Sequence, residues 1–268
     1  MRDLFSVRDK VVHVCGGSRG IGRAIAMAFH EAGARVVVSA RNREALAATG
    51  LDFEVCDVAD SSQIRRCVDN IVARYGRLDV LFNVAGINYR HAAETYPEQR
   101  LDEVLGINLR GNYLMAQACG RVMIGQGGGK IINVASLHSH FSLAGMAPYG
   151  ASKGAIAAMT RALAVEWARY NIQVNAIAPG FIQTDLNKVL WEQEEIRRWA
   201  LERTPAGRLG VPEDLVGVAI FLASAASDGN AAPLFYLPIL NPLDVAQLLV
   251  FLAIALWMRR VALQKLVP

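Results

Sequence analysis

The sequence has few cysteines and no strong excess of either charge. Its four cysteines, Cys15, Cys56, Cys67 and Cys119, are scattered and form no Cys-x-x-Cys pair, which argues against a disulfide framework or a metal site and fits a reducing cytoplasm. Charged residues make up 19% of the chain, with a formal net charge of +4. Because no basic cluster or arm accompanies this mild excess, we expect no nucleic-acid partner.

A secretory signal is also missing. Charged residues from Asp3 to Lys10 interrupt any apolar stretch before the first predicted strand, so we expect a cytoplasmic location. The 268 residues of the chain suffice for one α/β domain with a substantial core.

The most informative stretch that is present runs from residue 130 to residue 153. Three residues there, Ile131, Ile132 and Val134, are apolar and β-branched, as a buried strand requires. Ser136 follows where that strand would end. Tyr149 and Lys153 are four residues apart at the start of a predicted helix. That spacing places both side chains on one helical face.

These three side chains could move a proton at a carbonyl or alcohol oxygen. An ammonium close to a phenol lowers the pKa of the phenol from about 10, so Tyr149 beside Lys153 could exchange a proton near neutral pH. The Ser136 hydroxyl could hydrogen-bond an oxygen that gains charge. Since a Tyr-x-x-x-Lys spacing also occurs by chance in many helices, this interpretation requires a cofactor site elsewhere in the chain.

A glycine-rich turn predicts that cofactor site. An apolar strand at residues 10–15 leads into Gly16-x-x-x-Gly20-x-Gly22 and then into an alanine-rich predicted helix. Glycines let the backbone approach a pyrophosphate, and the helix N-terminus offers N–H groups and a positive dipole. The expected dinucleotide contacts in this turn are Gly16, Ser18, Arg19, Gly20, Ile21 and Gly22.

The end of the second predicted strand indicates which dinucleotide binds. An NAD enzyme carries an Asp or Glu there, which binds the ribose 2′-hydroxyl, but this chain has Ala40 followed by Arg41. A second guanidinium, that of Arg19, lies in the glycine turn. Two arginines without a carboxylate suit a 2′-phosphate, so we predict NADP(H) over NAD(H). In the alternative interpretation, Arg41 merely faces solvent.

Predicted strands and helices alternate along the chain. Helices are expected near residues 42–50 and 61–75, and strands near residues 53–58 and 78–82. This alternation predicts an α/β fold: a Rossmann-type, doubly wound parallel sheet between two helical layers, in a three-layer α/β/α arrangement.

Several motifs, in their order and spacing, resemble those of the short-chain dehydrogenase/reductase family over roughly residues 8 to 228. Cys15 and Val84 replace the Thr and the second Asn that are usual in two of these motifs. The matching residues are the glycine turn, Asp57-Val58, Asn83-Val84-Ala85-Gly86, Asn108, Ser136, Tyr149, Lys153 and Pro179-Gly180-Phe181-Ile182-Gln183-Thr184.

The resemblance implies a role for each matching residue. Tyr149 would be the general acid in carbonyl reduction and the base in the reverse direction, with Lys153 lowering its pKa and holding the nicotinamide ribose. Ser136 would orient the substrate oxygen, and Asn108 would hold a water that relays protons to Lys153. Further cofactor contacts would come from Arg41, Asp57, Val58, Asn83, Ala85, Gly86, Tyr149, Lys153, Pro179, Gly180, Ile182 and Thr184.

A closer resemblance, to the sugar-acid branch of gluconate 5-dehydrogenases and their relatives, lies in residues 86–94, 184–191 and 203–210. It implies that residues 186–201 form a mobile lid over the substrate.

Three residues are candidate substrate contacts. Asn88 and Arg90 follow the fourth predicted strand, and an arginine could pair with a substrate carboxylate. His138 follows Ser136 and is expected at the border of the pocket. In the alternative interpretation, the loop that carries Asn88 and Arg90 is simply solvated.

The C-terminal part departs from the family's pattern. After Asp228 the expected last strand, with its Val-Thr-Gly and Val-Asp-Gly-Gly motifs, is missing, so we expect the sheet to lack that strand. The chain is therefore divided into an NADP-binding catalytic domain at residues 1–228 and an atypical apolar tail at residues 229–268. The tail could be a helix packed on the domain, a membrane-associated segment over residues 231–260, or a non-native scar.

The predicted function is that of an NADP(H)-dependent oxidoreductase. It would transfer hydride between nicotinamide and a carbonyl or secondary alcohol of a small molecule, a sugar acid or polyol. A 3-oxoacyl-carrier-protein reductase is the alternative among enzymes. A nucleotide-binding protein without turnover, tethered by its tail to a membrane or a partner, is the alternative of another class. The family resemblance also implies a homo-oligomer.

Overall fold

Seven parallel strands form one sheet in the computed structural model, which describes residues 3–184, 187–229 and 234–236. Their order across the sheet is β3-β2-β1-β4-β5-β6-β7. The strands are β1 (Val11–Cys15), β2 (Arg35–Ala40), β3 (Asp52–Val55), β4 (Val80–Asn83), β5 (Gly129–Val134), β6 (Ile172–Ala178) and β7 (Leu234–Tyr236).

The central strands are made of apolar, largely β-branched residues. Val12, Leu81 and Ile132 are completely buried, as is typical of parallel strands that are covered on both faces. The strand order runs outward in both directions from β1 and β4, so a crevice opens at the carboxyl ends of these two strands. The prediction of a doubly wound parallel sheet is confirmed.

Nine α-helices lie within the described residues, and none of them is both long and apolar enough to cross a bilayer. They are α1 (Gly20–Glu31), α2 (Arg43–Ala47), α3 (Ser61–Tyr75), α4 (Glu98–Leu105), α5 (Asn112–Gln126), α6 (Ala147–Trp167), α7 (Lys188–Trp191), α8 (Glu194–Glu202) and α9 (Val216–Ala223).

Two helical layers cover the sheet. Helices α1 and α9 pack on one face, where Phe29 of α1 meets Phe82 of β4 with ring centroids 5.1 Å apart. Helices α3, α5 and α6 pack on the other face through Ile71, Met115 and Leu163. The predicted three-layer arrangement is therefore confirmed.

The far edge of the sheet differs from the sequence-based expectation that the last strand is missing. Leu234–Tyr236 pairs in parallel with β6, opposite Ala176 to Ala178. Its sequence, Leu-Phe-Tyr, is apolar and aromatic, and aromatic residues favour strands although the family's motifs are missing there. The expectations for the rest of the tail, a packed helix, a membrane-associated segment or a scar, fall on residues outside the described ranges.

Helix α6 begins before Tyr149, the residue that was placed at the start of the predicted helix. It starts at Ala147, with Pro148 in its first turn, where the fixed φ of proline and its missing N–H are tolerated. Tyr149 therefore lies in the first turn of α6, and Lys153 lies one turn further along the same helix.

Candidate active site

The glycine turn between β1 and α1 has no room for a Cβ at Gly16 or Gly22. Gly16 has a φ of 88°, which residues with a Cβ rarely adopt, and a Cβ there would lie 2.7 Å from the backbone N of Ala85. A Cβ on Gly22 would overlap the carbonyl oxygen of Gly16. The strand therefore turns directly into the helix, and the first residues of α1 border the crevice.

The turn after β4 is also held by backbone groups. The N–H groups of Val84 and Ala85 both donate to the Cys15 carbonyl oxygen, each over 2.9 Å. Since neither bond uses a side chain, Val84 in place of an asparagine leaves this turn intact.

A cavity of about 1000 Å³, open to solvent, runs along this edge of the sheet. Most of the predicted cofactor contacts line it, whereas six of them do not: Asn83, Tyr149, Lys153, Pro179, Gly180 and Ile182. The predicted contacts in the wall are Gly16, Ser18, Arg19, Gly20, Ile21, Gly22, Arg41, Asp57, Val58, Ala85, Gly86 and Thr184.

The two predicted phosphate-binding arginines reach the same cavity. Arg19 comes from the glycine turn, and Arg41 directly follows Ala40, the last residue of β2. Both arginines are exposed. Among the described residues that line the cavity, Asp57 contributes the one carboxylate, so this wall carries two cations for one anion.

Buried asparagines tie β4, β5 and α5 together beneath the turn after β4. The Nδ2 of Asn83 donates to Oδ1 of Asn133 over 3.1 Å and to the carbonyl oxygen of Asn112 over 3.0 Å. The Nδ2 of Asn112 donates to the carbonyl oxygens of Ala85, over 3.0 Å, and Asn108, over 2.8 Å. Such bonds fix the backbone, because an unpaired buried polar group is costly. Asn112 and Asn133 were not predicted, and no local motif marks them.

Asn108 lies in a π-helical segment, Gly106–Gly111, between α4 and α5. Its buried side chain accepts from the Ile87 N–H over 2.8 Å and donates to the Ile87 carbonyl oxygen over 2.9 Å. Its Nδ2 also lies 3.1 Å from the Ser152 hydroxyl oxygen in α6. Single π-helical turns are often found at functional sites, and this one holds Asn108 between the loop after β4 and α6.

Ser136 and Tyr149 meet beyond the end of β5. The Ser136 hydroxyl lies close enough to the Tyr149 phenol to favour its ionised form and so lower its pKa, and it accepts from the His138 N–H over 3.2 Å. Two adjoining hydroxyl groups at the mouth of a crevice can hold one carbonyl or alcohol oxygen and exchange a proton with it.

The pKa of Tyr149 is shifted in the opposite direction to the sequence-based expectation. Burial raises it above the ordinary value of 10, and the adjoining Ser136 hydroxyl opposes this shift only in part. Lys153 does not lower it here, because its Nζ lies 5.8 Å from the centre of the tyrosine ring and donates to the Val134 carbonyl oxygen over 2.6 Å. Tyr149 is therefore a phenol at neutral pH, the form that can donate a proton.

Lys153 is buried beside the turn after β4. Desolvation lowers the pKa of its ammonium group to about 8. A Cβ placed on Gly86 would lie 3.3 Å from Asn108 Oδ1 and 3.8 Å from Lys153 Nζ, so the amine and the amide border the same point. The hydroxyl of Ser139, which was not predicted to take part, donates to the Lys153 carbonyl oxygen over 2.8 Å. The structure thus brings all four predicted catalytic side chains to one edge of the sheet.

His138 packs beside Tyr149. The two rings meet edge to face with centroids 5.5 Å apart, and the Phe141 ring lies 5.9 Å from the histidine. Burial lowers the pKa of His138, so the imidazole is neutral at neutral pH. Its Nδ1 has no hydrogen-bond partner in the described part of the chain. Its place at the border of a substrate pocket and its contact with substrate both stay predictions.

Asn88 and Arg90 lie at the exposed rim, apart from the four clustered side chains. Their loop contacts the loop that follows Ser136, since the His91 N–H donates to the Gly145 carbonyl oxygen over 3.0 Å. The Arg90 Cγ also lies 3.0 Å from the position that a Cβ on Gly145 would take. These two loops together border the crevice, and Arg90 belongs to their shared surface.

The loop after β6, residues 179–184, joins the catalytic turn to the cavity. The Leu137 N–H donates to the Pro179 carbonyl oxygen over 3.0 Å. At its other end, Thr184 lines the cavity. This loop therefore lies between the two groups of residues that a hydride-transfer site would need.

Helices α7 and α8 cover this loop at the place predicted for a lid. Trp191 packs on Phe181 with ring centroids 5.8 Å apart, and both residues join Leu137 and Ala200 in a small apolar cluster. Because Leu137 directly follows Ser136, the covering helices rest on the catalytic turn.

Comparison with known proteins gives consistent similarities over most of the chain. The family model described as enoyl-(acyl carrier protein) reductase matches residues 16–232. The 5-keto-D-gluconate 5-reductase of Escherichia coli (strain K12) is 39% identical over 237 residues, which cover 85% of this chain and 93% of that protein. An NAD-dependent glycerol dehydrogenase of Listeria innocua is 40% identical over 230 residues, 83% of this chain and 90% of that protein.

Among solved structures, a gluconate 5-dehydrogenase from Burkholderia cenocepacia J2315, in complex with NADP and tartrate, has the same fold. It superposes with a TM-score of 0.84 at 39% identity, and the match covers 88% of this chain and 96% of that one.

Proposed function

We propose that this chain, which belongs to the short-chain dehydrogenase/reductase family, is an NADP(H)-dependent oxidoreductase that interconverts a ketone and a secondary alcohol on a sugar acid of the gluconate type. The observation that carries the proposal is the meeting of Asn108, Ser136, Tyr149 and Lys153 beside a glycine-lined cavity. The cavity supports dinucleotide binding, and the four side chains support proton transfer next to it.

The cavity residues fit a dinucleotide with a 2′-phosphate. Gly16 and Gly22 have no space for a Cβ, so the backbone there can lie against a pyrophosphate. Arg19 and Arg41 would hold the 2′-phosphate, since Ala40 stands where an NAD enzyme has an acid. A bound nicotinamide cofactor would supply the hydride. One relative is named NAD-dependent, so overall similarity does not choose the cofactor, and the choice rests on these two arginines.

The chain itself supplies the proton. Tyr149 donates its phenolic proton to the substrate oxygen during reduction, and its raised pKa keeps that proton in place until the oxygen gains charge. The Ser136 hydroxyl, which adjoins the same phenol, holds the substrate oxygen. Below a pH of about 8, Lys153 is a cation, and its ammonium group would hold the ribose of the nicotinamide cofactor. Asn108 would hold a water between this lysine and solvent.

The substrate class is supported by the relatives and by the polar rim of the crevice. One relative is named for 5-keto-D-gluconate and one solved structure for gluconate. Arg90 on the exposed rim could pair with the carboxylate of such a substrate, and Asn88 could bond its hydroxyl groups.

The test is a comparison of kcat/KM values for the purified chain. 5-Keto-D-gluconate, dihydroxyacetone and acetoacetyl thioester would each be offered with NADPH and with NADH. We expect the sugar acid to be preferred over the neutral ketone by about tenfold or more, because a charge-assisted pair is lost with the carboxylate. We also expect NADPH to be preferred.

Each other outcome rejects a defined part of the proposal. Preference for the thioester would favour a carrier-protein reductase, and preference for dihydroxyacetone would favour a polyol enzyme. Preference for NADH would contradict the role given to Arg19 and Arg41. NADPH binding without turnover of any ketone would reject the enzymatic function proposed here.

A further inference from the structure

The cavity-lining loop after β6 is held from two sides. On one side, the Gly210 N–H donates to the Phe181 carbonyl oxygen over 2.9 Å, and the Gln183 N–H donates to the Gly210 carbonyl oxygen over 2.8 Å. On the other side, the side chain of Asn187 forms three hydrogen bonds with Ile182 and Thr184, next to one backbone bond from the Asn187 N–H to the Thr184 carbonyl oxygen over 3.1 Å. The first support is backbone and would survive most substitutions, whereas the second depends on one residue.

Asn187 directs its amide to the loop and away from its own helix. It precedes α7 as the N-cap residue, a position where asparagine usually accepts from the first N–H groups of the helix, but it forms no such bond. Instead its Oδ1 accepts from the Thr184 N–H over 2.8 Å and from the Thr184 hydroxyl over 3.1 Å. Its Nδ2 donates to the Ile182 carbonyl oxygen over 2.8 Å.

These bonds set the position of a residue that faces the cofactor cavity. Thr184 lines that cavity, and its Cγ2 lies 3.5 Å from the position that a Cβ on Gly20 would take, so it closes the cavity opposite the glycine turn. Because its hydroxyl proton is donated to Asn187, the threonine oxygen keeps its acceptor capacity for a ligand.

We propose that Asn187 is a positioning residue for cofactor binding, which fixes Ile182 and Thr184 before the cofactor arrives. The proposal rests on the function proposed above. A loop that is already ordered loses less conformational entropy when its ligand binds. Without the amide of Asn187, part of the binding free energy would be spent on ordering Thr184.

The test compares Asn187→Ala with Asn70→Ala. Each variant is titrated with NADPH in the absence of substrate, and binding is monitored by fluorescence. Asn70 is a matched control because it lies in α3 and its Nδ2 donates to the Glu54 carboxylate over 2.9 Å at an exposed site. We expect the Kd for NADPH to rise about tenfold in Asn187→Ala, since three hydrogen bonds are lost. In Asn70→Ala it should stay within about twofold, and both Tm values should stay within about 2 °C of the wild type.

A conservative variant guards against a general loss of structure. Asn187→Asp keeps an acceptor for Thr184 but loses the donor to Ile182, so we expect an increase in Kd of about threefold. If the wild type binds NADPH, and Asn187→Ala and Asn187→Asp bind it as tightly as the wild type does, the role of Asn187 is wrong. The proposed function is not affected by that result. If the wild type does not bind NADPH, both proposals are wrong. A lowered Tm in Asn187→Ala with an unchanged Kd in Asn187→Asp would also contradict the role of Asn187.

Discussion

The two halves of the crevice differ in the groups that close them: backbone groups in one half and side chains in the other. The cofactor half, which consists of the turns after β1, β2, β3 and β4, is closed by backbone: Gly16 and Gly22 allow close approach, and two N–H groups share the Cys15 carbonyl oxygen. The substrate half, which consists of the loops after β4 and β5 together with α7 and α8, is closed by side chains such as His138 and Trp191. Gly16 and Gly22 admit no larger residue unless a neighbouring backbone atom moves, whereas side-chain contacts change with each substitution.

This difference explains why a fold can keep its cofactor site while its substrate changes. The relatives at similar identity are named for a keto-gluconate and for glycerol. A glycine that must approach another backbone atom admits few replacements, but exposed loop residues such as Arg90 can be exchanged at little cost in stability. The predictions below test whether the two halves can be separated by substitution.

The largest expected effect is the loss of turnover when the proton donor is removed while cofactor binding is retained. In Tyr149→Phe the proton donor is lost, so kcat for reduction of 5-keto-D-gluconate should fall about a thousandfold, while the Kd for NADPH should stay within about twofold of the wild type. Steady-state rates and NADPH titration of the same preparation measure both quantities. Retention of more than about a tenth of the activity would show that another group donates the proton.

The next largest effect should damage the cofactor half. A Cβ in Gly22→Ala would overlap the Gly16 carbonyl oxygen, so the turn must open and NADPH should bind about a hundredfold more weakly. Gly125→Ala is the matched control, because Gly125 lies in helix α5 with no atom within 4 Å of its Cβ position. It should leave binding unchanged and raise stability by about 0.5–1 kcal/mol. If Gly22→Ala and Gly125→Ala bind NADPH equally tightly, the close contact between Gly22 and the Gly16 carbonyl oxygen does not matter for cofactor binding, and this prediction is wrong.

A smaller effect should change the choice between cofactors within the intact cofactor half. Arg41→Ala removes a charge from the cavity wall, so the ratio of the Kd for NADH to that for NADPH should fall about thirtyfold. Arg43→Ala is the control, because Arg43 is exposed and its guanidinium lies over the Phe53 ring at 5.5 Å. Should the ratio be the same in both variants, Arg41 faces solvent and the alternative interpretation is correct.

The smallest expected effect appears with pH in the unaltered chain. Lys153 is protonated below a pH of about 8, and as an ammonium group it would hold the ribose of the nicotinamide cofactor. The kcat/KM for carbonyl reduction should therefore be level below about pH 8 and fall about tenfold per unit above it. In Lys153→Arg the side chain stays positively charged to much higher pH. The kcat/KM of any residual activity should therefore not fall above pH 8. A wild-type profile that is flat to pH 9.5, about one and a half units above that pKa, would contradict the role of Lys153.

Sequence patterns foretold the cofactor half better than the substrate half. The glycine turn and the alternating strands and helices follow from local spacing, and the four catalytic candidates follow from motifs in order. The raised pKa of Tyr149 could not be read in this way, because it depends on how deeply the folded chain buries the phenol. The hydrogen bonds from Asn112 and Asn187 to backbone carbonyl oxygens, and the bond that Asn133 accepts from the Asn83 side chain, also follow from no sequence pattern.

The edge of the sheet shows a further limit of pattern reading. The Leu-Phe-Tyr segment that forms β7 has no flanking motif, so its pairing with β6 depends on the exposed edge of that neighbour. The start of α6 at Ala147 likewise depends on a loop that places Pro148 in the first turn. Both features depend on tertiary contacts that local sequence patterns do not encode.

The most direct test of the central claim follows the hydride. Purified chain would be incubated with 5-keto-D-gluconate and NADPH that carries deuterium on the transferable position of the nicotinamide, and the product would be analysed by mass spectrometry. We predict that one deuterium appears on the new alcohol carbon, because hydride passes directly to the carbonyl carbon held beside Tyr149. Oxidation of NADPH without deuterium in the sugar acid, or no oxidation at all, would contradict the account.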